Sequence, residues 1–364
     1  MALLIIPMIA INMRDMGPPE NEAVIHTPII SSPVIQDTDV PEQDGESEKM
    51  PAVQAPELPA ENENAARQTA GTENGVLSFR ILDESTGKVN DVSLRDYVRG
   101  AVASEMPVSF HMEALKAQAV AAHTYALHQH YTQQKNPDPA LKGADFSADP
   151  ANMLVYSTEE RVKAFYGEPY ADAHWNKICE AADSVLPYIM EYEDEPIVAA
   201  YHAMSAGMTE AAENVWSGRA DYLLPAESVG DYLAPDYETR VNLSADEVKS
   251  ALLGAYPSMD LSGKPGGWFS DIVRSDSGYI TEIDVGGVLL HGKDIRTLFG
   301  LRSHNMDIFY TDQGFSFAVY GHGHGVGLSQ YGADFLARQG YTFDQILENY
   351  YSGVTLKQIM LNAD

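Results

Sequence analysis

Two helix-forming stretches joined at a Met-Pro step, residues 94–135, constrain this fold more than any other feature. The first, "LRDYVRGAVASEM" (94–106), has helical spacing, with Val98, Ala101, Val102 and Glu105 near one face. Pro107 disfavours helical geometry at Met106, so this helix is expected to end beside Glu105. The second, "FHMEALKAQAVAAHTYALHQHYTQQ", follows Ser109, which the pattern offers as its cap. Alanines at 114, 117, 119, 121, 122 and 126 permit a close helix–helix approach.

The rest of the body reads as short strands with a few more helices. "VLSFRILDESTGKVNDVSL" suggests two strands around a turn at Ser85-Thr86-Gly87, and "VLPYIMEYEDEPIVAAYH" (185–202) a hairpin with an acidic turn. Residues 205–265 read as loop-rich, with one helix at "SADEVKSALLGAY". Strands recur at "FSDIVRSDSGYITEIDVGGVLLHG" and "MDIFYTDQGFSFAVYG". The end, "GLSQYGADFLARQGYTFDQILENYY", reads as two helices separated by Gly340, the first over Leu328–Gln339. No internal repeat is evident. Mixed, mostly antiparallel strands with segregated helices indicate an α+β fold.

Composition bounds function. The chain has 364 residues, 45% of them hydrophobic, enough for a sizeable core. Its formal charge of −30, from 23 basic and 53 acidic residues, makes nucleic acid and anionic lipid poor partners. A single cysteine, Cys179, excludes an intrachain disulfide and a multi-cysteine metal site. It leaves open a cytosolic chain or one exported by an organism that does not rely on disulfides.

Charge and apolarity divide the chain unevenly. Residues 1–13, "MALLIIPMIAINM", are apolar but shorter than the ~20 residues a spanning helix needs, with no basic segment in front. They read either as an apolar tail or as the remainder of an anchor that starts upstream. Residues 14–75 hold 13 acidic residues, 3 basic ones and 8 prolines, and no aromatic residue precedes Phe79. Such a segment is expected to be a disordered, self-repelling spacer, which favours the anchor reading. The folded body is expected over 76–364, and the membrane enters only through the N-terminal segment.

Glu105 is the strongest chemical candidate. Burial and the negative end of its helix would both disfavour the charged form, leaving a carboxyl group able to act as a general acid. The same position also suits an exposed carboxylate at a frayed helix end. Lys116 and His123 lie seven apart on one face of the second helix, either as a polar seam into a site or as a solvated edge. "YHAMSAGMTEAAENVW" (201–216) gathers Tyr201, His202, Ser205, Thr209, Glu210 and Trp216, a mix suited to sugar recognition but also to ordinary loops. "GHGHGVGLSQYG" (321–332) has glycines at 321, 323, 325 and 327 around His322 and His324. Two histidines could begin a metal site, but no third ligand is near; the glycines better suit a close ligand approach or a strained turn. HExxH, Walker and GxSxG motifs are absent.

Four long motifs, in order, carry a resemblance. They are "SLRDYVRGAVASEMPVSFHMEALKAQAVAAHTYAL" (93–127), "AYHAMSAGMTEAAENVW" (200–216), "GKDIRTLFGLRSHNMDI" (292–308) and "GHGVGLSQYGADFLARQGYTFDQILENYYSGV" (323–354). Together they resemble the stage II sporulation protein D family over essentially the whole body. The resemblance implies a peptidoglycan lytic transglycosylase acting outside the membrane during forespore engulfment, tethered at the mother-cell side of the septum. Its implied substrate is glycan stripped of stem peptides, and its implied partner a cell-wall amidase-endopeptidase. Glu105 aligns with the implied catalytic acid. Substrate binding is assigned to Lys116, Gln118 and His123 in the first motif. It extends to Tyr201, His202, Ser205, Thr209, Glu210 and Trp216 in the second, Arg296 in the third, and His324, Ser329, Gln330 and Tyr331 in the fourth. No metal or cofactor is expected.

This sequence departs from the family twice. His123 stands where the family usually has Arg, which removes a permanent cation. The stretch 141–156 lacks the His and Cys zinc ligands of some members, so no zinc is expected there and Phe146 and Tyr156 are expected to hold the loop by packing. A non-catalytic role is the competing reading, because the domain also occurs in amidase enhancers.

Overall fold

Residues 70–74, 77–148, 155–216 and 218–361 are described by the computed structural model. The apolar segment 1–13 and residues 14–69 of the spacer lie outside them. Ser93 opens helix α1 (Leu94–Glu105), its hydroxyl accepting from the Asp96 amide at 3.1 Å. The Met106 amide still reaches Val102 O, but Met106 itself is extended, as a residue before proline must be. Residues 107–110 then close their own turn, with the Phe110 amide on Pro107 O at 3.0 Å. That turn delays helix α2 (Met112–Lys135), so its cap is His111 rather than Ser109.

Helix α2 is the axis of the larger core. From Ala114 to Leu127 every side chain except Lys116 is buried, because neighbours surround the helix. α1 and the helix α4 (Ala171–Val185) pack on it through small residues, among them Ala101, Ala117, Ala121 and Ala182. The short helix α3 (Glu159–Tyr166) lies against α4. Helices α8 (Gln330–Arg338) and α9 (Phe343–Tyr350) cover another side of α2. The alanines therefore do what their spacing suggested, admitting helices from several directions.

Small sheets surround this helical core. Strands Ser78–Asp83 and Lys88–Ser93 pair antiparallel, and Phe146–Ser147 joins the first in parallel. Phe146 packs its ring 5.5 Å from Phe79 and 5.3 Å from Tyr97, and Tyr156 lies 6.0 Å from Tyr97. Tyr188–Tyr192 and Glu195–Pro196 form the acidic-turn hairpin, with Glu193 and Asp194 at φ 53° and 63°. Thr355–Met360 extends this sheet on one side and pairs in parallel with Ala70–Asn74 on the other. The last residues of the spacer are thus ordered as an edge strand. Backbone hydrogen bonding to an open sheet edge needs no aromatic side chain, so composition did not show it.

A second hydrophobic cluster, including Val248, Leu252, Ile283 and Phe317, lies within residues 238–319. Two three-stranded antiparallel sheets build it: Phe269–Arg274, Ile280–Val285 and Val288–Leu290, and Glu238–Leu243, Gly314–Tyr320 and Met306–Thr311. Helices α6 (Ala245–Ala255) and α7 (Gly292–Leu298) pack with them; the one-turn helix α5 (Ala212–Val215) belongs to the larger core through Ala212 and Val215. Glu238–Leu243 is a strand inside the stretch read as loop-rich. The architecture is α+β, with helices segregated from mostly antiparallel strands.

One short pairing organises the site. Tyr201–His202 runs parallel to Leu328–Ser329, so residues 328–329 are strand and α8 starts only at Gln330. Each motif's polar residues are brought to the other by this two-residue ladder.

Candidate active site

Glu105 ends α1 facing inward, with only 2% of its surface exposed. A small cavity beside it is lined by Tyr201, His202, Ala203, Gly323, His324 and Gln330. Gln330, the first residue of α8, extends its amide to Glu105 Oε2 at 3.5 Å and to Gln118 Oε1 at 3.3 Å. Burial pushes the Glu105 carboxyl up to about 8, only weakly opposed by Gln330. The C-terminal dipole of α1 acts in the same direction. Near neutral pH Glu105 therefore keeps its proton.

The histidines of the cavity have fixed tautomers. His202 Nδ1 lies 3.1 Å from Val326 O, an acceptor only, so Nδ1 carries the hydrogen and Nε2 a lone pair. The Val326 amide donates to His324 Nδ1 at 3.0 Å, so there Nε2 carries the hydrogen. That Nε2–H faces the Tyr201 carbonyl without closing a well-formed bond. Burial holds both rings neutral, taking His202 down to about 3, with the Arg296 charge adding to the effect. Their rings are 5.5 Å apart, and Trp216 stands 5.1 Å from His324.

These groups share an unusual property: their polar atoms are buried without partners. Glu105 Oε1, Gln118 Nε2, His202 Nε2, His324 Nε2 and Trp216 Nε1 have no hydrogen bond among the described residues. Buried polar atoms are nearly always bonded, and each one left unsatisfied costs about 1–3 kcal/mol. Such a set around one cavity fits a polar ligand rich in hydroxyls better than a packed interior.

Other residues of the four motifs serve as frame. Asp231, fully buried, accepts from the Ser205 amide at 2.7 Å, from Ser205 Oγ at 2.6 Å and from Ser329 Oγ at 2.7 Å. This carboxyl ties the loop after His202 to the cap of α8. Nothing in the motif patterns singled it out, since a lone Asp in "VGDYL" has no periodic or paired signal. Thr209 accepts from the Ala226 amide, and Glu210 binds the Ala211 amide, Asn214 and Ser275. Tyr331 packs edge-on to Phe110 at 5.0 Å.

Two expected binding residues lie elsewhere. Lys116 pairs with Glu113 at 2.7 Å on its own helix. His123 is buried against the backbone of Leu186 and Tyr188, and burial takes its pKa down to about 4. It is neither a solvated edge nor a wall of the cavity, because five residues along α2 from Gln118 turn it to another side. Among the described residues no group of three or more His, Cys, Asp or Glu is placed to hold a metal. In the described part of the stretch matching the zinc loop, Asp145 has His130 beside it, at 2.9 Å, and takes the Arg80 amide.

Fold and site define a class: an α+β protein in which one protonated carboxyl faces a small polar cavity closed by a His-Gly loop. The Stage II sporulation protein family matches residues 83–192. A Stage II sporulation protein D of Bacillus amyloliquefaciens is 32% identical over 296 residues, covering 80% of this chain and 83% of the relative. That of Bacillus subtilis is 31% identical, covering 78% and 79%. An amidase enhancer of Bacillus subtilis is 25% identical, covering 71% of this chain and 40% of the relative. The chain belongs to the stage II sporulation protein D family.

Proposed function

We propose that this protein is a lytic transglycosylase that cleaves peptide-free peptidoglycan glycan strands at MurNAc–GlcNAc bonds. The observation that carries the reading is Glu105: enclosed, protonated near neutrality, and with one carboxyl oxygen unpartnered at the cavity. Glu105 gives its proton to the glycosidic oxygen as the bond from the MurNAc anomeric carbon breaks. The 6-hydroxyl of the same sugar closes on that carbon, and its proton returns to the Glu105 carboxylate. One carboxyl thus acts first as acid and then as base, so the second carboxylate of a hydrolase is not needed. The His202 Nε2 lone pair and the Gln118 amide hydrogens are free to bind sugar hydroxyls.

The sporulation setting, the amidase-endopeptidase partner and an N-terminal tether to the outward face of the membrane belong to the same proposal. They rest on the family and on the order of apolar segment, spacer and body. Among the described residues no helix is long and apolar enough to cross a membrane. The amidase-enhancer relative supports a second reading, in which the cavity binds glycan without cutting it.

Purified protein incubated with denuded glycan strands should release 1,6-anhydro-muramyl ends, identified by mass spectrometry, and Glu105→Gln should release almost none while still binding. Hydrated reducing ends would indicate a hydrolase instead, and binding without any product would favour the enhancer reading. Equal product from both proteins would remove Glu105 from the mechanism.

A further inference from the structure

The cavity and its frame leave one charge without a role. Arg296, on α7, is only 8% exposed, and its Nε donates to Leu301 O at 3.3 Å. Its terminal nitrogens have no hydrogen bond and no carboxylate partner among the described residues. Burial draws its pKa down to about 10, so the guanidinium remains charged. A largely enclosed guanidinium without a carboxylate partner is unexpected in a body with 40 acidic and 20 basic residues available to pair.

Its surroundings indicate what it awaits. Arg296 Nε holds the Leu301 carbonyl, and the carbonyl of the next residue, Arg302, accepts from the amide of cavity-lining Gly323 at 2.9 Å, so Arg296 is tied to the His-Gly loop. Burial, with the Arg296 charge adding to it, keeps His202, His304 and His324 neutral. Lys293, one turn earlier on α7, donates to Val215 O at 2.9 Å beside Trp216, and its charge also reaches His304. No carboxylate partner pairs with it among the described residues.

We infer that Arg296, with Lys293 beside it, recognises the free lactyl carboxylate of a muramic acid residue and thereby selects glycan whose stem peptides have been removed. The inference rests on the proposed glycan substrate and adds the reason for its preference. In intact peptidoglycan the lactyl group is an amide, neutral and continued by a peptide. After amidase action it ends in a carboxylate, the planar two-oxygen partner that a guanidinium fork binds in bidentate fashion. The lactyl ether projects from C3 of the ring whose C1 carries the bond to be broken, so a single muramic residue presents both the oxygen that Glu105 would protonate and the carboxylate that Arg296 would bind. Arg296 is a specificity-determining residue here, not a participant in bond cleavage.

The test uses Glu105→Gln protein, which binds without turnover, and calorimetry with two ligands: a short peptide-free glycan and the same glycan with lactyl carboxylates converted to methylamides. The carboxylate form should bind about 10- to 100-fold more tightly, the range of a charge-assisted hydrogen-bonded pair. Adding Arg296→Gln should abolish that difference, and Arg296→Lys should restore part of it; thermal unfolding checks that both variants fold. The two-ligand comparison on intact Arg296 stands even if neither does. Equal affinity for both ligands overturns the inference, and if wild type still yields anhydro ends the proposed function survives. Binding of neither glycan overturns both.

Discussion

At the residue scale, the chain keeps a carboxyl where its charge is unwelcome, and two consequences can be measured. Glu105 titrates near 8 in the folded protein against an ordinary 4.5. Below pH 4.5 both states are protonated and folding is unaffected. As pH rises toward 8 only the unfolded chain releases this proton, so stability is progressively lost and then levels off. Glu105→Gln cannot ionise and should be more stable than wild type at pH 7, by up to about 3 kcal/mol. Thermal unfolding at pH 4 and pH 8 checks this: the advantage should be present at 8 and nearly gone at 4. Cleavage should depend on the same group in a higher pH window, with kcat/KM level below pH 8 and falling above it as the acid is lost. The position of this carboxyl was legible because Pro107 and helical spacing both point to it. His123 was left open as a seam into a site or a solvated edge, and its burial excludes the edge; periodicity names a face but not what packs on it. The tautomers of His202 and His324 were illegible, since both depend on Val326, distant in sequence from His202.

At the element scale, the two-residue ladder between Tyr201–His202 and Leu328–Ser329 is the joint on which the site depends. Gly327 precedes it with φ +72°, and a Cβ there would fall 2.1 Å from the Ala200 carbonyl oxygen, a backbone atom that cannot yield alone. Gly340, between α8 and α9, also has positive φ, at +95°, but has nothing within 4 Å. Gly327→Ala should therefore lower stability by about 2–4 kcal/mol and reduce cleavage sharply, whereas Gly340→Ala should cost about 1 kcal/mol and leave kcat unchanged. Chemical unfolding and glycan turnover of the pair separate clash from conformational strain; similar losses in both would show that the ladder carries no special load. Most helices and hairpins were readable from local patterns. This ladder was not, because two-residue strands have no period and Leu328-Ser329 continue the apolar spacing of the helix that follows.

At the scale of the whole molecule, the charge of −30 opposes the proposed substrate. Glycan stripped of its peptides bears a lactyl carboxylate on every muramic residue and is a polyanion, so protein and substrate repel at long range. Attraction is confined to enclosed groups such as Arg296, which salt screens far less than it screens surface charge. Two ranges of electrostatics therefore act with opposite signs, and ionic strength distinguishes them. Raising salt from about 0.01 M to 0.15 M shortens the Debye length from ~30 to ~8 Å. It should raise kcat/KM on peptide-free glycan severalfold, chiefly through faster association. The methylamide glycan, being uncharged, should show little change, because its approach meets no repulsion. A steady fall in kcat/KM with salt on the free glycan would mean that exposed cations, not the acidic surface, govern the encounter.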